Sequence, residues 1–104
     1  MIVRLFFFAT AVLIAGAGAW AYHHDQKLQH SALLVNLGDP NETVRQIMGD
    51  PSREAECGSL TLVPQSCADE YVYRFYYSLF RPRYEVVWFD KSGKVIGMQY
   101  VQKP

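Results

Sequence analysis

Cys57 and Cys67 are the two cysteines of this 104-residue chain. Their spacing fits neither a Cys-x-x-Cys redox motif nor a haem-attachment motif. It does allow a disulfide that closes a loop of about 11 residues, worth about 3 kcal/mol in the chain-entropy model. The other reactive groups are not arranged for chemistry. His23, His24 and His30 cluster in one polar stretch, but no Cys, Asp or Glu stands at a ligand spacing that would complete a metal site with them. Asp69 and Glu70 are adjacent, so on a strand they point to opposite faces and do not share a substrate. Ser59, Ser66 and Ser92 lie in no nucleophile motif, and no glycine-rich phosphate loop is present. These residue types predict no catalytic site, no metal and no cofactor. The expected role is binding.

Stepping along the chain, residues 1–22 read as a hydrophobic segment. Arg4 precedes a charge-free run from Leu5 to Tyr22, about 18 residues and near the lower limit for a helix that crosses a bilayer. Ala19-Trp20-Ala21 also matches a small-residue cleavage pattern. Two readings compete: a retained inner-membrane anchor with Trp20 and Tyr22 in the interfacial belt, or a cleaved signal that leaves a periplasmic domain. Both keep Arg4 on the cytoplasmic side and export residues 23–104. Export into an oxidising compartment agrees with a Cys57–Cys67 disulfide. No Cys stands near residue 20, so lipid attachment of the bacterial lipoprotein kind is not expected.

In the exported part, His23 to Gln29 reads as a polar spacer, and Leu28 to Leu37 as a first short helix ended by Gly38. Asp39 is placed to cap a second helix, Pro40 to Met48, with Pro40 in its first turn and Glu42 three residues after the cap. Val44, Ile47 and Met48 share its apolar face. Gly49 and Pro51 stop it. Arg53 to Asp69 reads as a loop or ragged hairpin pinned by the disulfide.

The period then changes from helix to strand. Tyr71 to Phe80, Arg83 to Phe89 and Lys94 to Gln102 are three strands dense in aromatic and β-branched residues, joined by Arg81-Pro82 and by a turn over Asp90 to Gly93. In the third, Ile96, Met98 and Tyr100 are expected on one apolar face. The fold class is α+β: a two-helix hairpin on a three-stranded antiparallel sheet, ααβββ, with one sheet face covered.

Such a sheet leaves aromatic side chains exposed, either Tyr76 and Phe80 or Tyr71, Tyr73 and Tyr77. With arginines beside them, Tyr76, Phe80, Arg81 and Arg83 are the candidate protein-binding patch. Charge is uneven. Tyr22 to Glu70 carries three Lys/Arg against eight Asp/Glu, a net of −5, and Tyr71 to Pro104 six against two, a net of +4. The basic half is a candidate for contact with anionic lipid head groups or an acidic partner, and nucleic acid is not an expected partner.

The spacing Gly38-x5-Val44-x4-Gly49-x-Pro51, followed by VVWFDKSGKV from Val86 to Val95, resembles the SmpA/OmlA (BamE-like) family of outer-membrane protein assembly factors. The resemblance covers most of Leu28 to Val101 and implies the ααβββ fold, a place in the bacterial cell envelope and a protein partner there. It is a likeness of domain and does not extend to the lipoprotein assembly subunit itself. The secreted β-lactamase inhibitor proteins are built from similar units, which makes an inhibitor-like binder of an exported enzyme the alternative.

Overall fold

The computed structural model describes residues 2–58, 62–76 and 81–102. The fold is α+β, with two helices and one four-stranded antiparallel sheet among the described residues. Helix α1 spans Ile2–Ala32 and α2 spans Asn41–Met48. The strands are β1 (Arg53–Glu56), β2 (Asp69–Phe75), β3 (Arg83–Phe89) and β4 (Val95–Gln102), paired in sequence order.

The first helix departs from the expected one. The hydrophobic segment, the polar spacer and Leu28 form one continuous helix of 31 residues, about 46 Å long at 1.5 Å per residue. Ordinary polar residues do not interrupt a helix, because they keep the backbone N–H and cost at most about 0.7 kcal/mol each in propensity. The helix stops at Ala32, not at Gly38. Gly38, at φ 88°, instead donates its N–H to Val95 O at 2.8 Å, and Val95 N–H returns to Asp39 O at 2.9 Å. The α1–α2 link is therefore stitched to the start of β4.

Helix α2 falls close to the expected limits, but its cap differs. Pro40 occupies the N-cap position without a side-chain cap. The Asp39 carboxylate instead accepts from Asn36 N–H at 2.9 Å, closing the turn before the helix. Gly49 ends α2 at φ 82° and ψ −169°, a backbone region that is essentially reserved for glycine. Its N–H donates to Arg45 O at 2.8 Å.

The fourth strand, β1, lies in the segment expected to be a loop or ragged hairpin. Its Arg53-Glu54-Ala55-Glu56 run is polar, and it pairs along the edge of β2, Arg53 opposite Val72 and Glu56 opposite Asp69. The Cys57–Cys67 disulfide closes the connection just beyond it, with Cα atoms 6.1 Å apart. β2 begins at Asp69, two residues before the expected start, and ends at Phe75; residues 77–80 of the expected strand lie outside the described residues.

One sheet face packs on the helices. Tyr71, Tyr73 and Phe75 of β2, Val87 and Phe89 of β3, and Val95 of β4 meet Leu28 of α1 and Val44 of α2. Val44 is wholly buried, so the helix-face reading of that residue holds. A register shift between Trp88 and Phe89 sets Phe89 opposite Val95 but Trp88 opposite Gly97. The extra residue, Ile96, leaves the alternation, so Val95 joins Met98 and Tyr100 on the helix-facing side in the place expected for Ile96. Burial is not confined to that face: Glu70, Val72, Val86 and Trp88 on the opposite side are buried too.

Candidate functional site

The feature that organises the molecule is the seam between α1 and the end of the sheet where β2 leaves and β3 begins. The charge-free run of α1 is long and apolar enough to cross a membrane and is unburied; a signal sequence shares this property. Just beyond it, α1 turns one face inward. Asp25, Leu28 and Ser31, at i, i+3 and i+6, are buried. Leu28 enters the core, and Asp25 makes the polar contact.

Asp25 is only 5% exposed. Its Oδ1 accepts the backbone N–H of Tyr76 at 2.7 Å, and its Oδ2 lies 3.5 Å from the Arg83 guanidinium. A buried carboxylate is tolerated only where it is paired and hydrogen-bonded, and this one is both. Arg83 also lies over the Phe75 ring, 5.4 Å from its centroid, which directs the guanidinium across the sheet towards α1. On the other side of Asp25 an aromatic stack joins the helix to the sheet. Tyr76 lies 4.8 Å from His24 and 5.8 Å from Trp20, centroid to centroid. His24 Nδ1 is 3.6 Å from Asp25 Oδ1.

A second clamp holds α2. Arg45 Nε donates to the Tyr71 hydroxyl at 3.2 Å, and its guanidinium lies 5.0 Å from the Tyr71 ring centroid. It pairs with Asp50 at 2.9 Å and with Glu54 of β1. The Tyr73 hydroxyl donates to Gly49 O at 2.9 Å, and burial pushes its pKa well above the ordinary tyrosine range. Burial also raises the Glu85 carboxyl. In the Asp90–Gly93 turn, hydrogen bonds from the Ser92 hydroxyl and the Lys94 N–H lower the Asp90 carboxyl.

The candidate patch is thus distributed differently from its sequence reading. Tyr76 is 38% exposed and stacked on α1, and Arg83 is paired with Asp25. Arg81 is exposed, and Phe80 lies outside the described residues. Tyr71 and Tyr73 are buried, and Tyr77 lies outside the described residues. Of the fold-motif residues, Gly49 closes α2 and Gly38 takes the turn against β4, while Pro51 leads into β1. His23, His24 and His30 are all on α1, and among the described residues no group of three or more His, Cys, Asp or Glu is placed to hold a metal ion.

Sequence reasoning did not single out Asp25 or Trp20 as joining residues. The available signal was a lone carboxylate one helical turn beyond a charge-free run. The arrangement can fix the orientation of a domain relative to its helix. No family model, curated protein or solved structure matches this chain.

Proposed function

We propose that this chain is a non-enzymatic module of the bacterial cell envelope, BamE-like in build. In this reading α1 stays in the inner membrane and holds a small α+β domain on the periplasmic surface, where the domain scaffolds or assists a protein partner. The observation that supports it most is the buried Asp25. The helix carrying the hydrophobic run is joined, within one turn of that run, to the backbone of Tyr76 and the side chain of Arg83. A flexible tether would need no such contact. Cleavage after Ala21 would remove the Trp20 ring from its stack with Tyr76, so the folded domain uses part of the segment that a signal peptidase would discard.

The test is the intact mass of the natural protein from fractionated envelope, under non-reducing conditions. Full length in the inner-membrane fraction, lighter than the reduced formula by two hydrogens, is the expected result. A mass beginning at Tyr22 in the soluble fraction would overturn the anchor and favour the inhibitor-like binder. Crosslinking from Arg81, an exposed member of the patch, then identifies neighbours.

A further inference from the structure

Beside the Asp25 seam, α1 and β2 enclose a cleft of about 410 Å³, with the end of α2 as its third wall. His24, Lys27 and Ser31 line it from α1, Arg74 from β2, and Tyr76 from just beyond the end of β2. One carboxylate, Asp50, also borders it, but that group is already paired with Arg45. Asp25, on the neighbouring face of α1, is taken by Arg83 and Tyr76. Lys27 and Arg74 are exposed and pair with no carboxylate among the described residues. The cleft therefore presents two cations, with the acids around it satisfied elsewhere.

Its height above the membrane decides what it can meet. If the charge-free run ends at Tyr22, a rise of 1.5 Å per residue sets His24 about 3 Å and Lys27 about 7.5 Å beyond it. The headgroup layer on each side of a bilayer is about 5–7 Å deep. The helix thus carries the Lys27 backbone to the outer edge of the headgroup layer, from which its long side chain reaches back to the lipid phosphates. Polybasic contacts of this kind gain about 1 kcal/mol per cation at an anionic surface.

We infer that this cleft is an anionic-lipid site, in which Lys27 and Arg74 bind the phosphate of a lipid headgroup in the leaflet that α1 leaves. The inference deepens the proposed function and rests on α1 remaining in the membrane. It moves the expected lipid contact from the basic C-terminal half to one residue of each half.

The test uses the full-length chain in nanodiscs of phosphatidylcholine with or without phosphatidic acid, and counts the lipid retained after release by native mass spectrometry. Retention of phosphatidic acid over phosphatidylcholine is expected, with a drop of tenfold or more when Lys27→Gln and Arg74→Gln are combined. Lys91→Gln with Lys94→Gln removes the same charge from the distant turn and should leave retention unchanged. Equal retention in the Lys27/Arg74 variant, or an equal loss in the Lys91/Lys94 variant, would overturn the site. Inorganic phosphate supplies the other arm. If it raises the melting temperature in phosphatidylcholine nanodiscs as much as phosphatidic acid does, the cleft takes free phosphate and the lipid assignment fails. The intact mass of the natural protein tests the anchor separately, so its failure cannot be mistaken for failure of the site.

Discussion

The carboxylate of Asp25 on α1 and the guanidinium of Arg83 on β3 stand 3.5 Å apart, although 58 positions separate them in the chain. The pair is asymmetric: the Asp25 side chain is 7% exposed and that of Arg83 30%. Water screens the arginine partly, so the carboxylate is the more sensitive partner. Asp25→Ala removes an acceptor from the Tyr76 N–H as well as a charge from Arg83. We expect it to lower the stability of the full-length protein in detergent by about 1–3 kcal/mol, measured by thermal unfolding. Asp25→Asn keeps an acceptor for Tyr76 and should lose less. An Ala variant as stable as wild type would show the seam to be energetically idle.

Gly97 and Trp88 face each other across β4 and β3. A Cβ built on Gly97 would lie 3.0 Å from Trp88 Cε3, tight enough that the ring must move. Trp88 is only 7% exposed, so it has little room to do so. Gly97→Ala should cost about 1–3 kcal/mol and alter the near-ultraviolet circular dichroism of the tryptophan band. An unchanged spectrum and midpoint would mean that the ring is not held against the strand.

The disulfide predicts a large effect from a small loop. Replacing Cys57 and Cys67 together by Ser frees a connection of ten positions in the unfolded chain and should lower stability by about 3 kcal/mol. Denaturant titration reads this directly. The loss should be nearly equal in wild type treated with a reductant, since both remove the same constraint. A difference between the two would point to a packing role for the sulfurs.

Glu85 gives a pH dependence with a definite sign. Burial raises its pKa in the folded state above 4.5. The folded protein therefore holds the proton more tightly than the unfolded chain does. This contribution is complete below the unfolded pKa and is lost as pH rises through the folded value. Glu85→Gln, neutral throughout, should melt higher than wild type at pH 7 and level with it near pH 4. A gap that widened on acidification would contradict the assignment.

Much of the fold was readable because its signals are local. Gly49 and Pro51 stop α2 where glycine and proline chemistry requires. β3 begins at Arg83 and ends at Phe89 as its alternation implies. The cysteine pair follows from spacing and expected compartment. What escaped depends on contacts distant in sequence. β1 is four mostly charged residues of low strand propensity, made a strand by the edge of β2. The extra residue at Ile96 is set by how β3 and β4 meet, and it shifts the face of every position before it. Asp25 looks like spacer until Tyr76 and Arg83 fold onto it. Residue type alone points to the candidate patch, and it does not show that two of its members, Tyr76 and Arg83, also contact α1.

The claim that α1 and the sheet domain move as one body is tested most directly by a distance across the seam. Spin labels at His23→Cys on α1 and Gln99→Cys on β4, both exposed positions, leave the native disulfide intact. In nanodiscs, pulsed electron paramagnetic resonance should give one narrow distance distribution, which broadens when Asp25→Ala is added. A broad distribution in the protein that keeps Asp25 would mean the domain swings on its helix, and the docked-anchor reading would be wrong.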